Sequence, residues 1–210
     1  MSEKIISNID VIFYINLEHR KDRKEHFLNE IKKICLDENK IIRIDALQHD
    51  NGALGCSLSH IKALETFESN PDWKTCIIFE DDYTFCDNNI INNNDKINLF
   101  LNNFNDWGIL SLSYNMLNSS DTHIDIIKKV NFTQTASGYC VNKKFSNIIK
   151  NNFIESSNLM KIQGRCHENC LDQYWNKLNK IFNWYVIVPR LGYQYECYSN
   201  IENTNVNYCC

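Results

Sequence analysis

Three stretches of this chain have almost no polar face: Val11 to Leu17 reads V-I-F-Y-I-N-L, Thr75 to Phe79 reads T-C-I-I-F, and Trp184 to Pro189 reads W-Y-V-I-V-P. Side chains alternate between the two sides of a strand, so a sheet wet on one face interleaves polar with apolar residues. Runs that are apolar at nearly every position need cover on both faces, as in parallel sheets. The intervening sequence supplies that cover. After the first strand, which spans Asp10 to Leu17, Phe27, Leu28, Ile31, Ile34 and Cys35 fall on one stripe at helical spacing. Residues 18–35 therefore read as a loop leading into an amphipathic helix. Lys40 to Leu47, with Ile41, Ile42 and Ile44, is a second strand and completes a βαβ unit.

The alternation continues along the chain. Gly52 and Gly55 break the pattern, then Leu58, Ile61, Leu64 and Phe67 recur at helical intervals until Asn70-Pro71. An Asn-rich stretch from Asn88 to Asp106 carries Ile97, Phe100, Leu101 and Phe104 at helical spacing, and its asparagines read as coding bias. Trp107 to Tyr114 opens another strand. Short strands are expected at 126–130 and 136–141, with helices after Asn142 and from Asn169 to Ile181. No linker, repeat or shift in composition interrupts this order, so residues 1–210 are expected to form a single α/β domain around a mainly parallel, mixed sheet flanked by helices. Phe13, Ile15, Ile77, Ile78, Ile109 and Leu110 are expected to be buried in that sheet.

Composition narrows the function classes. The chain is 43% apolar and 23% charged, enough for one substantial core. Its 26 acidic and 22 basic residues give a net charge of -4, which disfavours a nucleic-acid partner. No run approaches the roughly 18 apolar residues of a transmembrane span, and the opening residues do not resemble a secretory signal, so a cytoplasmic protein is expected. In that setting the ten cysteines read as reduced thiols. Cys166 and Cys170, around His167 and Glu168, lack C-x-x-C spacing and a second ligand pair, which disfavours zinc there. Cys209-Cys210 lacks the residues of a prenylation signal and reads as a frayed tail.

The most informative local feature is Glu80-Asp81-Asp82, directly after an apolar strand. Adjacent carboxylates repel one another unless water or a cation compensates. In an open parallel sheet the carboxyl ends of strands face the ligand crevice, and hard oxygen ligands there suit Mg²⁺ or Mn²⁺ shared with phosphate oxygens. The alternative is a solvated acidic turn. Asn16, Arg20 and Arg23 lie at and just beyond the first strand's end, where an arginine fork matches a pyrophosphate or simply forms an exposed helical turn. Gly52-Ala53-Leu54-Gly55-Cys56-Ser57-Leu58-Ser59-His60 places two glycines and several small residues at a helix start, permitting close backbone approach to a ligand. His60 alone is as readily a packed, hydrogen-bonded histidine.

Together these segments resemble glycosyltransferase family 25, the lipooligosaccharide-type galactosyltransferases that include the collagen galactosyltransferases. Ile12 to Arg23, I-F-Y-I-N-L-E-H-R-K-D-R, is similar to the family's Y-x-I-N-L-x-x-R-x-x-R opening. Gly52 to His60 is similar to its G-x-x-G-C-x-x-S-H helix start, and Ile77 to Asp82 to its hydrophobic-E-D-D motif. The likeness continues through Thr135-Ala136-Ser137-Gly138-Tyr139, Asp172 in E-N-C-L-D-Q-Y-W, and Pro189 with Gln194 and Ser199-Asn200-Ile201.

The resemblance implies a GT-A fold with a nucleotide-binding half at about 8–115 and an acceptor half at about 116–205. It also implies an inverting, metal-dependent transfer of a hexose, galactose or glucose, from a UDP-sugar to a glycan or glycoprotein hydroxyl. Glu80, Asp81 and Asp82 would hold Mn²⁺ or Mg²⁺. Asn16, Arg20, Arg23, Gly55, Ser59, His60, Glu80, Asp81 and Gln194 would serve the donor. Asp172, at the start of a late helix, is the expected base, with Glu168 and His60 as alternatives; Tyr139 and Ser199 read as binding or architectural. A non-catalytic sugar-nucleotide binder and a metal-dependent phosphoesterase are the competing readings. The chain is short for the family, and Ala53-Leu54 replaces a more polar pair, so donor sugar and acceptor do not carry over.

Overall fold

The computed structural model describes residues 8–35, 37–115, 117–199 and 204–207. Asn200 and Ile201 of the C-terminal motif, and the Cys209-Cys210 tail, lie outside the described residues. In chain order the elements are β1 (Val11–Asn16), α1 (Lys21–Glu30), β2 (Ile41–Asp45), α2 (Gly52–Ser69), β3 (Thr75–Glu80), β4 (Tyr83–Phe85), α3 (Ile90–Asn103), β5 (Ile109–Ser111) and β6 (Leu117–Asp121). There follow β7 (Ile127–Thr133), β8 (Gly138–Asn142), α4 (Lys143–Gln163), α5 (Leu171–Tyr174), β9 (Trp184–Ile187), β10 (Gly192–Gln194), β11 (Cys197–Ser199) and β12 (Thr204–Val206).

The main sheet has eight strands in the order β2-β1-β3-β8-β5-β9-β7-β6. β1 runs parallel to β2 and β3, and β5 parallel to β9, while β8 and β7 run against their neighbours. Six strands thus point one way and two are reversed, giving a mixed, mostly parallel α/β sheet. Strands from both halves of the chain join it.

Cover on both faces appears as two cores that divide each strand by alternation. Ile12, Tyr14, Ile77 and Phe79 pack with Phe27 of α1 and with Ile97 and Phe100 of α3 on one side. Val11, Phe13, Ile15, Cys76 and Ile78 pack with Ile61, Leu64 and Phe67 of α2 and with Phe153 of α4 on the other. The six residues expected at the centre of the sheet are all buried. Asn51, Asn89 and Asn142 accept backbone N–H bonds at the starts of α2, α3 and α4. Of these, Asn89 belongs to the stretch read as coding bias, and there it caps a helix.

Two differences bear on the site. The helix expected at 169–181 is one turn, α5, followed by a 3-10 segment at Trp175–Lys180, anchored by buried Leu171, Trp175 and Leu178. The residues after the acidic triplet form β4, which pairs antiparallel with β10. That pairing needs Gly192, where a Cβ would come within 2.3 Å of the Tyr83 ring. It places Gln194 opposite Tyr83 and so beside the carboxylates. Among the described residues no helix is long and apolar enough to cross a membrane.

Candidate active site

The carboxyl ends of β1, β2 and β3 open into a cleft of about 630 Å³. Glu80 ends β3, and Asp81 and Asp82 form the tight link to β4. All three line the cleft, with Arg20, Arg23, Asp172, Gln194 and Ser199.

The three carboxylates have different partners. Asp81 Oδ2 accepts from Asn16 Nδ2 at 2.6 Å and its Oδ1 from Arg23 Nη1 at 3.0 Å. Asp82 Oδ2 lies 3.0 Å from the same Arg23 nitrogen, and Asp82 also receives Gln194 Nε2 at 3.3 Å. Glu80 Oε2 accepts from Gln194 at 3.0 Å, while its Oε1 lies 3.2 Å from His60 Nε2 and 3.5 Å from Cys56 Sγ. Burial raises the proton affinity of all three. For Glu80 the His60 bond and charge outweigh it, and the carboxyl sits below its ordinary range. For Asp81 burial prevails over Arg23 and Asn16. Asp82 is pushed up to about 7 by burial, which Arg23 only partly offsets and which the charges of Glu80 and Asp81 reinforce.

Among the described residues Arg23 makes the ion pairs to Asp81 and Asp82, and burial, reinforced by the charges of Glu80 and Asp81, lets Asp82 hold its proton near neutrality. Asp81 and Asp82 offer hard carboxylate oxygens of the kind Mg²⁺ and Mn²⁺ take, while Glu80 turns to His60 and Cys56; among the described residues the three carboxylates do not gather into one group of mutually close ligand atoms.

Arg20 and Arg23 also reach the C-terminal segment. Arg20 Nη1 and Arg23 Nη2 donate to the Tyr198 carbonyl at 3.1 and 2.9 Å, and Arg20 is paired with Asp22. Gly55 and Ser59 hold α2 against the loop after β2. A Cβ on Gly55 would lie 2.5 Å from the Leu47 carbonyl oxygen, and the Ser59 hydroxyl donates to the Gly55 carbonyl while accepting from the Leu47 N–H. His60 is fully buried, with Nδ1 2.9 Å from the Tyr139 hydroxyl.

Asp172 lines the cleft from α5. Its Oδ2 accepts from the Thr135 N–H at 3.3 Å. Burial raises its proton affinity, that bond lowers it, and the Glu80 charge raises it further; the net shift is upward. Glu168 does not join this group: it is exposed on a 3-10 turn and does not line the cleft. Thr135 stood in the T-A-S-G-Y segment without a role; it has φ of 83°, in the left-handed region where a β-branched residue is strained by about 1–3 kcal/mol. Sequence reasoning missed Arg165, Gln134 and Asn115 as cleft residues, none of which carries a spacing signal. Cys56 stood in the G-x-x-G-C motif without a role.

No family model matches the chain, and no curated protein matches it in sequence. Solved structures do resemble it. A197 from STIV superposes with a TM-score of 0.52 at 12% identity, covering 94% of this chain and 93% of that one. A glycosyltransferase involved in the glycosylation of the major capsid of PBCV-1 gives 0.51 at 11% identity, covering 85% and 81%. The fold is GT-A-like. At these identities the likeness concerns the fold, and the resemblance to family 25 rests on the motifs quoted above.

Proposed function

We propose that the chain is a metal-dependent, inverting glycosyltransferase that moves a hexose, galactose or glucose, from a UDP-sugar to a hydroxyl of a glycan or glycoprotein. One observation carries the reading: the buried carboxylates Asp81 and Asp82, just beyond the carboxyl end of a parallel strand, share a cleft with a separate carboxylate, Asp172.

In this reading Asp82, with Glu80 or Asp81, would hold Mn²⁺ or Mg²⁺, which when bound would supply positive charge to the departing diphosphate. Arg20 and Arg23 present guanidinium forks to the phosphate oxygens. Asn16 and Gln194 keep Asp81, Glu80 and Asp82 in place by donating to them. Asp172 takes the acceptor's proton as the new bond forms, and its raised proton affinity suits that task. The Thr135 N–H fixes the direction of its carboxylate. Glu168 is exposed and is not among the cleft-lining residues, and His60 is engaged on both nitrogens, which favours Asp172 as the base.

Incubation with Mn²⁺, a panel of UDP-sugars and glycan acceptors, followed by assay of released UDP, tests the reading. Cation-dependent release with one sugar is expected. Binding without release would point to a non-catalytic sugar-nucleotide binder, and absence of binding across the panel would overturn the proposal.

A further inference from the structure

Cys56 and His60 stand one helical turn apart on α2, so their side chains share a face. That face meets Glu80 at the end of β3. Sγ of Cys56 lies 3.5 Å from Glu80 Oε1, Nε2 of His60 lies 3.2 Å from the same oxygen, and the three ligand atoms all lie within 4.8 Å of one another. A tetrahedral zinc ion, with bonds of about 2.0–2.3 Å, sets its ligand atoms roughly 3.3–3.6 Å apart. The remaining nitrogen of His60 is 2.9 Å from the Tyr139 hydroxyl, the kind of outer partner that fixes the ring of a metal-bound histidine. Among the described residues this is the one group of its kind; Cys166 and Cys170 gather no third ligand.

We propose that Cys56, His60 and Glu80 form a binding site for a zinc-class ion, beside the hard-oxygen ligands, where Asp81 and not Glu80 would then partner Asp82. Thiolate and imidazole favour zinc over Mg²⁺ or Mn²⁺. Cys56 and Glu80 line the cleft, so the fourth coordination position opens towards it. On binding, the Cys56 S–H and His60 Nε2–H bonds break, both protons leave to solvent, and sulfur–metal and nitrogen–metal bonds form. His60 offers the Nε2 lone pair while Nδ1–H donates to the Tyr139 oxygen. Glu80 contributes Oε1, and its Oε2 stays on Gln194. No change of oxidation state is involved. The site stands independently of the glycosyl-transfer reading.

Anaerobic titration of the full chain with Co²⁺, followed by absorption, tests this. A thiolate-to-cobalt charge-transfer band with tetrahedral d–d absorption should grow to a single ion per chain and disappear on addition of Zn²⁺. Cys56→Ser, which keeps a hydrogen-bonding group of similar size, should abolish the band. Tyr139→Phe should weaken binding by about tenfold, and Asp82→Asn should leave the band intact. Absence of the band in the parent protein, or its survival in Cys56→Ser, would overturn the proposal. X-ray absorption of the zinc-loaded parent gives a second reading that needs no variant: one sulfur in the first shell is expected, and a shell of nitrogen and oxygen alone would contradict the site.

Discussion

Burial leaves Asp82 costly to ionise, and Arg23, shared between Asp81 and Asp82 through a single nitrogen, offsets that only in part. In the fold Asp82 keeps its proton up to about 7, against 3.8 in an unstructured chain. Between those values the folded state binds more protons than the unfolded one, so the contribution of Asp82 makes stability fall as pH rises through that window and stay low above it. Asp82→Asn should therefore stabilise the metal-free protein above about pH 7 and leave it unchanged below about pH 4. Urea titrations in chelator at the two ends of the window measure this, and an equal effect at both would contradict it. Asp172→Asn should lower turnover by roughly 10²–10⁴-fold with donor affinity nearly intact. Arg20→Ala should instead weaken donor binding along with kcat/KM, because its contact exists before transfer as well as during it. Calorimetry and initial rates on both variants separate the two roles. At this scale the acidic triplet was legible because its members are adjacent in sequence. Asp172 and Thr135 are not adjacent, and neither are Cys56 and Glu80, so no spacing rule announces that they meet.

Among the elements, α2 shows how tightly the cleft wall is built. Its glycine at 55 permits backbone contact with Leu47, and Ser59 bonds both sides of that contact. Gly55→Ala should cost about 1–3 kcal/mol by overpacking. A chemical denaturation curve gives the value, and a loss well below that range would mean the Leu47 loop moves aside. The apolar stripes of α1 to α3 were readable in the sequence, α4 was placed only as a helix after Asn142, and the caps of α2 to α4 are asparagines. The short α5 was not readable, because Leu171, Trp175 and Leu178 suit an α-helical stripe and a tighter 3-10 turn alike. β4 was missed for a different reason: three residues are too few for a period to show, and its pairing with β10 depends on a glycine more than a hundred positions away in the chain.

For the whole molecule, the long apolar runs told that the sheet is covered on both faces but not which way each strand runs. β8 lies antiparallel between β3 and β5, although its composition matches that of its parallel neighbours. That reversal brings Gly138 to the same edge as Glu80, and with it the Thr135 turn that reaches Asp172. The two carboxylate groups are therefore brought together by topology, not by local sequence. The central claim, that the triplet holds a divalent cation which in turn holds a sugar nucleotide, is tested most directly by calorimetric titration of UDP into the parent protein with Mn²⁺, with chelator, and into Asp82→Asn with Mn²⁺. Binding in the first experiment, and its loss or strong weakening in the other two, is the expected result. Equal UDP affinity in all three would contradict the account.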